Sequence, residues 1–330
     1  MTTHSSAQAF HGQGPDHQVR GATARAVLAL ATCLVSATAA MATEGGGNSY
    51  PMGVDTFYSG MMLPEGLNLL LYYSHYQAST SKDNAGSDNA KFAYYKIRSD
   101  TVSLRASYVW PGVHWLGANV ETRAALPVTS LNLSLGIARP PSFTPLDKSG
   151  NKTAQGDLSF IPIILGWHGE TFHQLTGLEA YLPVGDYNVS DPVNTGRNYH
   201  QVAPFYSATW APTQSVDLNA KIRYGINSRN KDTNYRSGNE FTLEFGGGYH
   251  VSQTITLGVN GFLYRQTTDD VQNDAAVNGN GNRGRVNAIG PYVAASLMQK
   301  TSVIAKVQSE FSAVNRSQGT RIWLQMKVPL

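Results

Sequence analysis

The sequence predicts an all-β chain folded as a transmembrane antiparallel β-barrel of about 12 strands, with short periplasmic turns and long external loops. Three observations carry this. Val216, Leu218, Ala220, Ile222, Tyr224 and Ile226 alternate with Asp217, Asn219, Lys221, Arg223, Gly225 and Asn227. A strand turns successive side chains to opposite faces, so such alternation gives one apolar and one polar surface. Segments of this kind recur along the chain, joined in turn by a short connection and a longer polar one. An export signal precedes them all.

That signal is residues 1–42. Arg20 and Arg25 stand before the apolar run Ala26 to Val35, and Ala40-Met41-Ala42 supplies a small-residue cleavage site. It is the one long apolar run, and an inner-membrane protein needs runs of roughly 20 apolar residues. Cys33, the single cysteine, lies within the signal, so disulfides and cysteine-metal sites are not expected in the mature chain. With a net charge of +3 the chain lacks the concentrated basic surface of a nucleic-acid binder.

Residues 43–65 form an N-terminal arm. Gly45-Gly46-Gly47, Tyr50-Pro51 and Leu63-Pro64-Glu65-Gly66 interrupt any alternation. At about 3.3 Å per residue the arm is long enough to fold into the lumen as a hatch or to hang free in the periplasm.

The barrel occupies residues 66–330, with strands expected at 66–78, 98–110, 116–127, 157–167, 171–183, 199–210, 215–227, 239–250, 254–266, 285–297, 302–311 and 320–330. These lengths suit the roughly 9 to 11 residues that cross a bilayer at a tilt. The first connection is long (79–97); the next turns at Pro111-Gly112. A long segment (128–156) follows, in which Leu131, Leu133, Leu135 and Ile137 read either as an extra strand or as the upper part of a neighbour. Phe160 to Leu165 is nearly continuously apolar and contains Pro162, so its two faces stay unassigned. His168-Gly169-Glu170, Ala211 to Gln214, Val251 to Gln253 and Met298 to Thr301 are the remaining short turns; 184–198, 228–238 and 267–284 are the clearest of the other long loops. Strict alternation of short and long places both termini in the periplasm. Trp110, Trp115, Trp167 and Trp210 lie beside short turns, as an interfacial girdle requires, and Tyr76, Tyr94, Tyr95 and Tyr199 lie toward the long loops. In the last strand Ile322, Leu324, Met326, Val328 and Leu330 oppose Arg321, Trp323, Gln325 and Lys327. Its alternation resembles the C-terminal signal read by the outer-membrane assembly machinery.

Reactive groups do not converge. The mature histidines, His75, His114, His168, His173, His200 and His250, are scattered without metal-site spacing, and no serine–histidine pair falls on a predicted lipid face. No enzyme activity, catalytic residue, metal or cofactor is expected. Parity instead points Arg105, Glu121, Arg123, Glu179, Lys221, Arg223, Glu244 and Lys306 into the lumen, with Glu310, Arg321 and Lys327. Tyr181, Phe205, Phe262, Tyr264 and Tyr292 also point inward. Two readings stand: a paired network that stiffens the wall, or a constriction and aromatic patch that contact a solute.

The chain resembles the meta-pathway phenol degradation family of outer-membrane transporters. The likeness lies in Thr43-Glu44-Gly45-Gly46-Gly47-Asn48-Ser49-Tyr50-Pro51-Met52-Gly53, Leu63-Pro64-Glu65-Gly66, Tyr72-Tyr73, Val109-Trp110-Pro111, Tyr181-Leu182-Pro183-Val184-Gly185 and the alternating C-terminus. It implies a barrel embedded in outer-membrane lipid that passes small hydrophobic or aromatic solutes, and it supplies no catalytic residues. The alternative is a structural or surface-interaction barrel with a filled lumen. The solute, the openness of the pore and the oligomeric state are not written in these patterns.

Overall fold

The computed structural model describes residues 1–2, 44–298 and 301–328. The expected leader beyond its second residue, Cys33 within it, and Pro329-Leu330 lie outside the described residues.

Twelve strands close one antiparallel barrel: β1 (Gly66–Ser81), β2 (Phe92–Trp115), β3 (Ala118–Arg139), β4 (Leu158–His168), β5 (Phe172–Leu182), β6 (Gln201–Thr213), β7 (Val216–Asn227), β8 (Glu240–His250), β9 (Ile255–Gln266), β10 (Arg285–Met298), β11 (Thr301–Val314) and β12 (Ser317–Val328). Each pairs with its chain neighbours, and β12 closes onto β1 with Tyr73 opposite Leu324. Closure leaves no sheet edge, the condition for a strand structure to lie in lipid.

Parity sorts the wall as the sequence predicts. On β7, Leu218 and Ile222 are 45% and 44% exposed on the outer face, whereas Lys221 and Arg223 are 3% and 2% exposed on the inner one. The outer band continues through Leu71, Leu104, Leu178, Val202, Leu257, Val293 and Leu324, all exposed. A soluble domain hides such residues; a continuous apolar belt around a polar interior is the inversion that a bilayer requires. Trp110, Trp115 and Trp210 project outward at the short-turn end. Of the tyrosines near the long loops, only Tyr94 is exposed; Tyr95 and Tyr199 are buried inside, and Tyr76 donates to Glu310 Oε2 at 2.9 Å.

Several connections differ from expectation. β2 runs through Pro111-Gly112, which form an irregular bulge where Val109 faces Glu121 and His114 faces Asn119. The reversal comes later, at Leu116-Gly117, both with positive φ. Proline cannot donate to the ladder, so a bulge at the barrel rim is where it fits. Residues 129–137 are the upper part of β3, paired with β2 through Leu131–Ser99 and Leu135–Tyr95. Two short strands, Ser142–Asp147 and Gly150–Gln155, fold back onto this extension and are not part of the wall. In β4 the faces separate around Pro162: Ile161 and Ile164 point inward and are buried, while Phe160 and Ile163 face out. The register with β5 slips between Phe160 and Ile164, which absorbs the proline.

The connection between β11 and β12 is not long. It is Asn315-Arg316 alone, the strands having grown to Val314 and Ser317, so the order of short and long breaks at that place. Residues 3–43 and 329–330 lie outside the described residues, so the expectation of both termini at the short-turn end bears only on the described ends of the arm and of β12. β12 descends to that end, but Glu44 lies among the long loops, donating its N–H to Ser237 Oγ at 3.2 Å and accepting from Asn230 Nδ2 at 2.8 Å.

Candidate functional site

Between Glu44 and Glu65 the chain runs down the inside of the barrel. Near the long loops Asn48 donates to Glu240 Oε2 at 2.9 Å and accepts from Arg316 at the same distance. At the other end Glu65 accepts from the N–H of Gly112, in the bulge of β2. Tyr50, Met52 and Val54 are 3%, 2% and 5% exposed. They pack with Tyr72, Tyr181, Phe262, Tyr264, Val286, Ala288 and Trp323 in an apolar cluster inside the polar wall.

Asp55 is the centre of the seat. Its carboxylate accepts from both terminal nitrogens of Arg105 at 3.1 Å and from Lys221 Nζ at 2.6 Å, so one anion ties β2 to β7 across the arm. The backbone on either side is held by wall side chains. Glu244 accepts from the N–H of Gly53 and of Asp55. Lys306 Nζ donates to Val54 O at 2.7 Å and Thr56 Oγ1 at 2.9 Å, Gln325 to Val54 O at 2.8 Å, Gln308 to Gly53 O at 3.1 Å and Arg321 to Met52 O at 2.7 Å. Further down, Gly60 donates its N–H to Thr209 Oγ1 at 3.0 Å and Ser59 to Asn219 Oδ1 at 3.3 Å. The backbone-to-backbone hydrogen bonds of residues 50–61 are internal turns, such as Met52 N–H to Tyr50 O. Ser59 Oγ donates to the wall carbonyls of Ala208 and Ala220 at 3.2 Å, so each of these hydrogen bonds between wall and segment has a side chain at one end, and none extends the ladder.

Two glycines make the fit possible. Gly53 has φ +84°, a left-handed conformation open to glycine, and a Cβ there would overlap the Gln308 amide. Gly246 on β8 faces inward at the point where Thr56 passes, and any Cβ would strike the Thr56 carbonyl oxygen. Gly246 therefore clears space for the arm, whereas a Cβ at Gly247 would face outward to Leu218 and one at Gly248 would meet the wall side chains of Asp217 and Tyr292.

Every lumen residue expected from parity lies inside. Arg105, Lys221, Glu244 and Lys306 grip the arm as described. Arg223 stacks 4.2 Å from the ring of Tyr50 and lies 3.5 Å from Glu179, whose other oxygen accepts from Tyr181. Phe205 takes Lys221 Nζ over its face at 4.9 Å and adjoins the apolar patch of Ile161, Ile164, Leu175 and Met62. Phe262 is fully buried, Tyr264 stacks under Arg316 at 4.5 Å, and Tyr292 meets Phe57 edge to face at 5.5 Å. Glu121 and Arg123 form their own pair at 2.7 Å on the wall, with Ser107 donating to Glu121. The residues thus meet the arm and each other.

Missing from the sequence expectation are the arm's own residues, Tyr50, Asp55 and Thr56, and the wall amides Gln308 and Gln325. Asp55 is the one acidic residue between Gly45 and Pro64, and the expected inward cations outnumber the expected inward carboxylates. That surplus is the signal that something else must supply negative charge. The histidines play other parts: His75 pairs with Asp100 at 2.7 Å on the outer face, His250 lies 3.2 Å from Asp217 and His168 touches His173 beside a short turn.

Comparison with known proteins adds three findings. Residues 78–326 match the model of a family described as "Putative MetA-pathway of phenol degradation". No curated protein matches the chain significantly. Among solved structures, an outer membrane channel from Pseudomonas putida F1 superposes with a TM-score of 0.68 at 16% identity, over 82% of this chain and 97% of that one. The transport unit of the autotransporter AIDA-I from Escherichia coli gives 0.48 at 10% identity, over 82% and 93%, and the NanC porin 0.44 at 10%, over 79% and 100%. The first likeness shows a shared barrel fold.

Proposed function

The chain belongs to the family described as a MetA-pathway of phenol degradation, and on that footing we propose that it is an outer-membrane channel for diffusion of small hydrophobic or aromatic compounds, occluded by its own arm. One observation carries this reading: residues 50–61 lie inside the barrel and make no backbone-to-backbone hydrogen bond with the wall, so the segment can leave without breaking a strand pairing. The apolar cluster around Tyr50, Tyr181, Phe262 and Tyr264 gives an aromatic solute rings to stack on once the arm moves. The apolar outer band seats the barrel in outer-membrane lipid, the leader delivers it, and the alternating last strand is its handle for the assembly machinery. No reaction is assigned to it.

The test is a reversible lock. Ser59→Cys with Asn219→Cys joins the arm to β7 where the two already touch. In liposomes the oxidised protein should pass phenol-sized solutes more slowly than the reduced one, and reductant should restore the rate. Equal rates at an empty-liposome level in both states would remove the channel reading.

The occupied lumen also supports a structural barrel that displays its loops. Deleting most of 267–284 separates the readings: lost surface binding with unchanged permeability favours the structural one.

A further inference from the structure

On the outer face of β9, β10 and β11 the apolar belt ends at Leu263, Ile289 and Phe311, all exposed. The next outward pair toward the long loops is Arg265 opposite Arg285, direct partners across the β9–β10 ladder. Side chains so placed have Cβ atoms about 4.5–5.5 Å apart, and like charges there repel. Neither guanidinium has a carboxylate partner among the described residues. The flanking strands offer none at this height: Arg265 faces Phe241 of β8, and Arg285 faces Val314 of β11. A third cation, Arg283, stands beside them with Asp269 at 2.6 Å. Together the three arginines line a cleft of about 270 Å³ with Asn84, Gln266 and Val314.

We propose that this notch binds the phosphorylated headgroup of a membrane lipid in the leaflet nearest the long loops. Guanidinium groups pair with phosphate oxygens in a bidentate manner, and an anion shared by Arg265 and Arg285 turns their repulsion into attraction. A lipid is favoured over a soluble anion by position. The cations stand directly above Leu263, Ile289 and Phe311, an apolar track along which acyl chains lie while the phosphate sits in the cleft. The inference rests on the barrel's insertion in a membrane and is independent of what passes through it.

The experiment uses the full barrel, purified and folded in neutral detergent. The probes are lipid A, which is a bisphosphorylated acylated glycolipid, its dephosphorylated counterpart, and inorganic phosphate. Native mass spectrometry counts bound lipid, and the temperature at which the folded SDS band is lost reports stabilisation. Lipid A should be retained and should raise that temperature. Arg265→Gln with Arg285→Gln should weaken retention about tenfold or more, and Arg265→Lys with Arg285→Lys should fall between, since lysine keeps the charge but loses the fork. Should the double glutamine variant not fold, Arg265→Gln alone is read the same way. Equal retention by the glutamine variant, or equal binding of the dephosphorylated lipid, overturns the proposal. Full displacement of lipid A by millimolar inorganic phosphate overturns the lipid assignment in favour of a soluble anion.

Discussion

Asp55 and Lys221 meet at 2.6 Å although 166 residues separate them, and Arg105 closes on the same carboxylate from the opposite wall. An unpartnered buried charge is costly, and removing one member of a buried pair typically costs about 3–5 kcal/mol. Asp55→Asn leaves two cations facing each other across the lumen. Applied to arm seating, about 3 kcal/mol is roughly two orders of magnitude in occupancy. Solute swelling of liposomes should therefore rise well above the parent protein, while heat-modifiable migration in SDS shows an intact barrel. An unchanged swelling rate with an intact barrel would mean that the ion pairs do not hold the arm.

The two faces of β7 give opposite outcomes one residue apart. Ile222→Lys places a charge on the lipid face, where it costs about 2–4 kcal/mol near the bilayer midplane. The folded band should be lost or greatly reduced. Lys221→Gln keeps the polar inner face, so the barrel should assemble and its permeability should change.

Gly246→Val tests the clearance at Thr56. The inward Cβ collides with the Thr56 carbonyl oxygen, so the arm should be pushed off its seat, seen as faster proteolysis between residues 44 and 65 together with increased flux. Gly247→Ala is the matched control: the added Cβ faces outward, where it would meet Leu218 Cδ2 at 3.3 Å, and it should leave both readouts unchanged.

Glu121 is buried and pairs on the wall with Arg123 and Ser107. Glu121→Gln should lower the temperature at which the folded band disappears, without raising solute flux. The same variant opening the pore would show that wall and arm are coupled there.

The strands were legible because burial is written every second residue. Leu218, Ile222, Lys221 and Arg223 need only parity to be placed, and so does each lumen residue named from sequence. The failures have local causes. At Pro111-Gly112 turn chemistry competes with a ladder that accommodates proline in a bulge. Around Asn315-Arg316 the polar residues Ser312, Ser317 and Gln318 belong to strands that overhang the membrane, where an outer face can be wet. The arm was legible only as an interruption. Its seat is made of long-range contacts from Asp55 to Arg105 and Lys221, and from Thr56 to Lys306, and no periodicity in residues 43–65 records them.

The arm's grips come from around the circumference: Arg105 on β2, Thr209 on β6, Lys221 on β7, Glu244 on β8, Lys306 on β11 and Gln325 on β12. The arm leads the wall in chain order, yet its last partners are among the final residues of the wall. Contacts of such sequence separation form late. Occupancy of the seat is therefore a completion check on folding: an intermediate lacking even its closing strand presents an incomplete set of anchors, and only a finished circumference stoppers itself.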